Sequence, residues 1–419
     1  MPDHWPTPIP EDCPFERSRD LRGVALTGRH RSYPIADYFY PSWAADGHLY
    51  TGCGDGKGFW NAGIIKIVGD DPLRLDFQTL GNFNVFVTVN GKKSSAGVRR
   101  YHCASLLKDG VWYYGLEDGW NTSSDVGVGR FWGFLCSSDY DRVVGQVTEV
   151  VDGLWRVKDN PYWKDPTGIQ AGRRGPRAPF GEYPRWSDGQ WPAHAGGFHD
   201  EPPRTNRIRN PHFVDFGRNM EHSPDGYAYM TTHGCEGERP AEWGNGDSIY
   251  LLRARPERIV QPSGWQFFAG LDPRGEPVWV EAVAKTRPLL TWKAKLGHAS
   301  VVFNKPLGKY LMCVAPLAVK DNDTNGPKLF AATGCLLLEA DRLAGPWRVF
   351  QFLGGFGPNA YAMSMPSKFL SPDGRTAWLL YSAGWGAKGL PANPPGSSYA
   401  ACFQEILIDC VGARQDGGP

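Results

Sequence analysis

The chain has 419 residues and an almost balanced charge, with 45 Lys and Arg against 44 Asp and Glu, which argues against nucleic acid or an anionic membrane as its main partner. Its 52 glycines, 35 prolines and 17 tryptophans are typical of many short strands joined by turns, and they disfavour a helical bundle. No apolar run is long enough to span a bilayer and no signal peptide is visible, so we expect a protein that is cytoplasmic or exported with its leader removed.

One phrase recurs five times along the chain: a short run, a tight turn, and an alternating run rich in aromatic residues. The turns centre on Asp46-Gly47, Asp109-Gly110, Asp225-Gly226, Leu307-Gly308 and Asp373-Gly374. Asp-Gly between alternating apolar runs is the strongest short-range hairpin signal, because both turn residues tolerate positive φ. Five hairpins in one chain predict an all-β fold, a five-bladed β-propeller that forms a single domain over residues 1–419.

Further strands are predicted between and after the hairpins, at 63–68, 247–252, 265–268, 334–339, 347–350 and 398–410, and the last of these would finish the ring. The segment 155–212 interrupts this rhythm and is rich in Pro, Gly, Arg and Trp. Long segments of this kind in compact domains are usually functional or disordered, and its tryptophans favour an ordered lid or wall. The alternative is an insertion that packs on the outside of the domain.

The nine cysteines form no CxxC pair, and no His-Glu-x-x-His motif is present. The scattered cysteines predict buried thiols, with one or two disulfides as the alternative for an exported protein. No cofactor and no metal ligands are predicted. The many carboxylates and carbonyl-rich turns would suit a structural Ca²⁺, which the sequence does not place.

Hairpin geometry predicts which residues meet at the open ends of the hairpins, away from the turns. Residues equidistant from a tight turn lie opposite each other, with Cβ atoms roughly 4.5–5.5 Å apart. This rule places Asp37 beside Asp55, His102 opposite Glu117, and Arg218 opposite His233. If the open ends face one mouth, they form one polar site. The predicted substrate-binding residues are His102, Glu117, Asp118, Trp120, Arg218, Glu221, His222, His233, His298 and Tyr361.

Asp37 and Asp55 are the candidate catalytic pair. Two carboxyl groups in contact cannot both ionise easily, so their pKa values split and one acts as the acid while the other stays anionic. A gap of about 5–5.5 Å between carboxyls is typical of retaining glycoside hydrolases, and cross-strand neighbours fit it. Asp55 and Asp118 each precede a glycine and could instead cap turns. Each histidine could instead be a hydrogen-bonded structural residue, and Glu221-His222 could be a solvent-exposed corner.

Two segments resemble a glycoside hydrolase family that contains endo-D-arabinanases. They are residues 37–56 (DYFYPSWAADGHLYTGCGDG) and residues 216–229 (FGRNMEHSPDGYAY). The resemblance implies a five-bladed propeller with a catalytic pair of aspartates on the first hairpin, here Asp37 and Asp55. The wider group of arabinanase and fructosidase propellers takes its carboxylates from three blades, which here implies Asp37, Glu117 or Asp118, and Glu221.

Three functions follow from these observations. The first is a retaining glycoside hydrolase that acts on an oligo- or polysaccharide, with arabinan-like furanosides as one substrate class. The second is a polysaccharide lyase that uses a histidine and a tyrosine, with Arg218 neutralising a uronate. The third is a non-catalytic carbohydrate-binding propeller, which carboxyls more than about 10 Å apart would favour, because that gap fits neither stereochemical class.

Overall fold

The computed structural model describes residues 3–54, 62–83, 87–89, 92–94, 100–118, 131–137, 146–151, 154–157, 207–235, 244–259, 264–318, 333–384 and 391–411. The strands of the first half are β1 (Asp3–His4), β2 (Leu21–Tyr33), β3 (Ser42–Trp43), β4 (Leu49–Cys53), β5 (Ala62–Val68), β6 (Asp76–Phe83), β7 (Val87–Val89), β8 (Lys92–Ser94), β9 (Arg100–Lys108), β10 (Val111–Asp118), β11 (Phe131–Ser137), β12 (Gln146–Val151) and β13 (Leu154–Val157).

The strands of the second half are β14 (Arg209–Phe213), β15 (Ala228–Gly234), β16 (Gly246–Ala254), β17 (Trp265–Leu271), β18 (Pro277–Val280), β19 (Leu290–Leu296), β20 (Ala299–Asn304), β21 (Lys309–Ala318), β22 (Thr333–Ala340), β23 (Arg348–Gly354), β24 (Tyr361–Ser364), β25 (Thr376–Ser382) and β26 (Ala401–Cys410). Short 3-10 turns occupy Arg218–Met220, Pro256–Arg258, Val283–Lys285 and Ser367–Phe369. The described part of the chain contains no α-helix, in agreement with the predicted all-β class, and none of its helical turns is long and apolar enough to cross a membrane.

Each of the five predicted turns lies between two antiparallel strands: β3–β4, β9–β10, β14–β15, β20–β21 and β24–β25. Two of these turns share the same hydrogen bonds. The carboxylate of Asp46 accepts the backbone N–H of His48 and the hydroxyl of Tyr50, and Asp225 does the same for Tyr227 and Tyr229. The repeated Asp-Gly-x-x-Tyr phrase is therefore a repeated structure, in which the carboxylate stabilises the turn and clamps the following strand.

These hairpins are divided among four sheets. β3-β4-β5-β6 continues into β12, β7 and β8, and β9-β10-β11 stands alone. β14-β15-β16 and β21-β22-β23 are linked through β19, while β1-β2-β26-β25-β24 forms the fourth sheet. The first strands of the hairpins lie side by side in chain order, β3 against β9, β9 against β14, β14 against β20 and β20 against β24. No single closed sheet joins the described strands, so the number of blades stays a prediction.

Strand β2 was not predicted from the sequence. It pairs along most of its length with β26 at the other end of the chain, so the last sheet contains both the first and the last strands. Local patterning is weak in β2, because its second half is polar and carries Gly28 and two arginines. A strand of this kind forms because a neighbouring strand supplies its hydrogen-bonding partners. That neighbour is β26, which lies almost 400 residues away in sequence.

Some strands are covered on both faces. Strands β4 and β15 are buried at every residue, although their sequences are not uniformly apolar. Neighbouring sheets pack against both sides of such a strand, so the alternation of buried and exposed residues disappears. Cys313, Cys335 and Cys402 are thiols in this core, as the scattered spacing predicts, and burial raises the pKa of Cys313 to about 12.

Two hairpin registers differ from the expected ones. A bulge after Gly115 makes His102 face Leu116, so Glu117 faces Tyr101 instead. In the third hairpin Arg209 faces His233, because a long connection rather than a tight turn separates β14 from β15, and the prediction for Arg218 is wrong.

The predicted insertion, residues 155–212, overlaps β13 at its start and runs into β14 at its end. Its residues 158–206 lie outside the described ones, so the lid and the single-domain organisation stay predictions.

Candidate functional site

Asp37 lies at the open end of the first hairpin, on the side of β3 away from the turn and five residues before β3 begins at Ser42. The side chain is buried, with the residue 7% exposed, and its Oδ2 accepts a hydrogen bond from the hydroxyl of Tyr361 on β24. Its backbone carbonyl accepts the N–H of Gly54 at 2.8 Å. A Cβ placed on Gly54 would lie 2.5 Å from Oδ1 of Asp37, so the carboxylate occupies space that any larger residue would fill. The carboxylate is therefore held between the first and the last hairpins.

A backbone feature recurs at the open ends. The residues Tyr38, Asn210 and Ala362 adopt left-handed conformations, with φ of 63°, 44° and 51°. Non-glycine residues rarely adopt this conformation, and such strain clusters at functional sites. Each of these residues directly follows a polar side chain of the open ends, namely Asp37, Arg209 and Tyr361.

Side chains from the first, third, fourth and fifth hairpins pack into one group, which we call the open-end cluster. The ring of Tyr40 stacks on His212, with centroids 3.5 Å apart, and Tyr38 packs edge-on against His298 at 5.4 Å. Nδ2 of Asn210 donates to Nε2 of His298 at 2.8 Å. The members, all buried, are Asp37, Tyr38, Tyr40, Asn210, His212, His233, His298 and Tyr361.

Two of the predicted histidines belong to this cluster. His233 lies 5.4 Å from His298 between ring centroids, and both are buried. His298 sits at the open end of the fourth hairpin, where its carbonyl accepts the N–H of Ala315. Tyr361 is placed at the open end of the fifth hairpin. The structure thus brings Asp37, His233, His298 and Tyr361 into one cluster.

His102 belongs to the packing behind the cluster. It is fully buried beside Tyr114, with ring centroids 4.9 Å apart, and an added Cβ on Gly52 would overlap its ring. Burial lowers the pKa of His102 to about 3, although the backbone groups of Tyr40 and Gly115 favour its charged form. Its surroundings favour the structural reading over a role in binding substrate.

The depressed pKa of His102 predicts a loss of stability in acid. Between pH 6.5 and pH 3 the unfolded chain binds a proton at this histidine and the folded chain does not, so stability falls as the pH drops. This residue alone should reduce the free energy of unfolding by about 2 kcal/mol from pH 7 to pH 5. Urea unfolding at pH 7 and pH 5 measures this change. The free energy of unfolding of His102→Gln should fall by about 2 kcal/mol less than that of wild type. Equal losses in the two proteins would contradict it.

Arg218, Glu221 and His222 lie at the turn ends of the hairpins, not at the open ends. Nε of Arg218 donates to the carbonyl of Ala45 at 3.0 Å, beside the first turn, and Glu221 lies 3.5 Å from His222. The adjacent Asn219 exchanges two hydrogen bonds with Asp109 of the second turn. The structure therefore does not bring these three predicted residues to Asp37. They belong to the connection 214–227, which lies beside the first and second turns.

Four predicted residues receive no structural test. Asp55 and Trp120 lie outside the described residues. Glu117 and Asp118 belong to the backbone of β10, opposite Tyr101 and Arg100, but nothing is described of their side chains. The pairing of Asp37 with Asp55 thus stays a prediction. It is compatible with the position of Gly54, which contacts Asp37 and directly precedes Asp55.

Sequence reasoning missed Arg209, Asn210, His212 and Tyr40. Arg209 is 1% exposed and faces His233, the position that was assigned to Arg218. Nδ1 of His212 donates to the carbonyl of Cys103 on β9, and burial holds the pKa of His212 well below its usual range. The run Arg-Asn-Pro-His-Phe carried a strand signal, since polar and apolar residues alternate at its end. The signal was not used, because residues 209–212 had been assigned to the predicted insertion.

Two other acidic groups have structural partners. Asp215 accepts hydrogen bonds from the backbone of Gly217 and from both the backbone and the hydroxyl of Ser367, and burial raises its pKa. Asp20, Glu339 and Asp341 form an acidic group that surrounds the ammonium of Lys309, which lies 3.3 Å from Glu339 and 2.5 Å from Asp341. The lysine supplies the positive charge there, so the group is an ion-pair network.

No protein-family model and no curated protein matches this chain. Among solved structures it is similar to a candidate hydrolase from Bacteroides ovatus ATCC 8483, with 11% identity, a TM-score of 0.48 and 96% of each chain covered. It is also similar to a GH43_1 enzyme from Xanthomonas citri, with 12% identity, a TM-score of 0.38, and 90% of this chain and 89% of that chain covered. An α-L-arabinofuranosidase from Clostridium thermocellum ATCC 27405 has 14% identity and a TM-score of 0.39, with 87% and 89% covered. At these values the similarity assigns no activity to this chain.

Proposed function

We propose that this protein is a glycoside hydrolase whose centre lies at the open ends of five hairpins, which we infer to be the blades of a five-bladed propeller. The proposal rests above all on Asp37. Its carboxylate is buried among aromatic rings and accepts a hydrogen bond from a tyrosine near the other end of the chain. Burying a carboxylate costs desolvation free energy, which a purely structural role does not require. Its neighbours come from separate hairpins, so the carboxylate is fixed on a rigid scaffold.

The chemistry requires two carboxyl groups. In the proposed mechanism Asp37 and Asp55 are the nucleophile and the acid/base, one attacking the anomeric carbon and the other protonating the leaving oxygen. The acid then becomes the base that activates water, which releases the sugar with retention of configuration. The contact between Asp37 and Gly54 supports this pairing, because Gly54 directly precedes Asp55 in the sequence.

The proposed substrate is a neutral oligo- or polysaccharide, with arabinan-like furanosides first among the candidates. The charge of the chain is balanced, so a strongly anionic polysaccharide is not favoured. The resemblance of residues 37–56 to the endo-D-arabinanase family adds D-arabinan to the substrates worth testing.

A polysaccharide lyase is the second candidate, and Arg209 is the observation that favours it. Arg218 cannot neutralise a uronate at the open ends, but Arg209 takes its place opposite His233. Proton abstraction next to a uronate carboxylate requires a base and a cation that neutralises the carboxylate, and Arg209 and His233 are cross-strand partners of the right types. We rank the lyase second because it leaves the buried carboxylate of Asp37 without a role.

The test is a screen of the purified protein against furanoside- and uronate-containing glycans, with product masses read by mass spectrometry in H₂¹⁸O. The expected result is a neutral furanoside product that carries ¹⁸O at its new reducing end. NMR should show that the product formed first has the same anomeric configuration as the substrate. Absorbance from an unsaturated product without ¹⁸O would select the lyase. Binding of glycans without any product would select the non-catalytic reading.

A further inference from the structure

Tyr361 makes a contact that the proposed mechanism does not yet use. Its hydroxyl donates to Oδ2 of Asp37 across 324 positions of sequence, and both residues are buried. The other carboxylate oxygen, Oδ1, lies over the α-carbon of Gly54. The Asp37 carboxylate therefore has one oxygen directed at Tyr361 and the other directed at the segment that leads to Asp55.

The position of Tyr361 is itself well determined. It pairs with Ser382 between β24 and β25, and the hydroxyl of Ser382 accepts the N–H of Tyr38 at 3.3 Å. Tyr399 is hydrogen-bonded to the Tyr361 side chain. Because the single proton of the Tyr361 hydroxyl is donated to Asp37, the Tyr399 hydroxyl is the donor to Tyr361. The chain Tyr399, Tyr361, Asp37 thus runs in one direction and ends on the carboxylate.

We propose that Tyr361 is a positioning residue that orients the Asp37 carboxylate and holds it in the ionised state. The proposal rests on the proposed function, since it concerns the same carboxylate. A donor directed at a carboxylate stabilises its charged form, which counteracts the effect of burial. Asp37 is then the group that remains anionic in the resting protein, and the proton needed for the leaving group comes from elsewhere.

The phenol can play this role over the whole working pH range. Burial and the neighbouring Asp37 raise the pKa of Tyr361 well above its usual value, so the hydroxyl stays protonated and stays a donor. Among the residues that the structure describes, the other titratable groups near Asp37 include Tyr38 and Tyr399 and, beyond the ring of Tyr38, His212 and His298. Burial keeps His212 neutral, so this histidine adds no positive charge beside the carboxylate.

The experiment compares Tyr361→Phe with wild type on the substrate found in the screen. Removing the donor should shift the acidic limb of the kcat/KM profile up by about 1 pH unit, and lower kcat by about tenfold or more. Tyr399→Phe should shift the limb in the same direction by less, because Tyr361 still donates. Thermal unfolding of each variant checks that the fold is kept.

Tyr381→Phe is the matched control. Tyr381 is also a buried tyrosine on the last sheet, and its hydroxyl bonds Ser397 instead of Asp37. Its removal should change stability and leave the acidic limb in place. An unshifted limb in Tyr361→Phe, with Asp37→Asn inactive, would overturn the positioning role and leave the hydrolase standing. If Tyr361→Phe does not fold, Tyr399→Phe decides, and no shift there overturns the proposal.

Discussion

Asp37→Asn should lower kcat by about a thousandfold or more while the protein keeps its fold. An amide has the shape of the carboxylate and its oxygen still accepts the Tyr361 hydroxyl, but it cannot act as a nucleophile or accept a proton. The thermal midpoint should stay within a few degrees of wild type, because the buried hydrogen bond survives. The measurement is kcat on the released glycan, alongside a thermal unfolding curve.

The control is Asp215→Asn, which alters a partly buried, hydrogen-bonded carboxyl group outside the open-end cluster. Asp215 accepts three hydrogen bonds from Gly217 and Ser367, and an asparagine would turn an NH₂ group toward one of these donors. The cost is about 2 kcal/mol of stability, with kcat little changed. The opposite pattern, with loss of turnover in Asp215→Asn and normal turnover in Asp37→Asn, would place the catalytic centre elsewhere.

Gly52→Ala should be the most destabilising small substitution in the first hairpin. Gly52 lies on the buried strand β4, where an added Cβ would overlap the His102 ring and the Tyr114 hydroxyl and would lie 2.5 Å from Cβ of His102. Both neighbours are fully buried and cannot move aside. Overpacking of this kind should cost about 3 kcal/mol, measured as the change in the free energy of unfolding by urea.

Gly110→Ala separates steric overlap from backbone strain. Gly110 has φ of 78°, and an added Cβ there meets nothing within 4 Å, so the expected cost is about 1 kcal/mol. In addition, Gly52→Ala combined with His102→Gly should cost less than the sum of the two single changes, because the second change removes the overlapping ring. Additive costs, or a Gly52→Ala variant as stable as Gly110→Ala, would contradict this account of His102.

The difference between the predicted and the observed registers has a physical cause. The first hairpin follows the symmetric rule, with Ser42 opposite Tyr50, because its turn is closed by its own residues. In the third hairpin the residues 214–227 form a longer connection that includes the left-handed Asn219 and Met220. Asn219 is held there by Asp109 of another hairpin. A contact between two distant turns leaves no local pattern, so counting from Asp225-Gly226 gave the wrong partner for His233.

The amino-acid sequence by itself determined the all-β class, the five turns and the positions of most strands, since these depend on Asp-Gly chemistry and on residues a few places apart. It also pointed to Asp37 as a candidate catalytic carboxylate. Only the tertiary structure decided that β2 pairs with β26, that Arg209 replaces Arg218 opposite His233, and that Tyr361 donates to Asp37. The first and the last of these contacts join segments from opposite ends of the chain, and the second depends on a connection that is held by another hairpin. Periodicity along the chain carries no record of which distant strands come to lie beside each other.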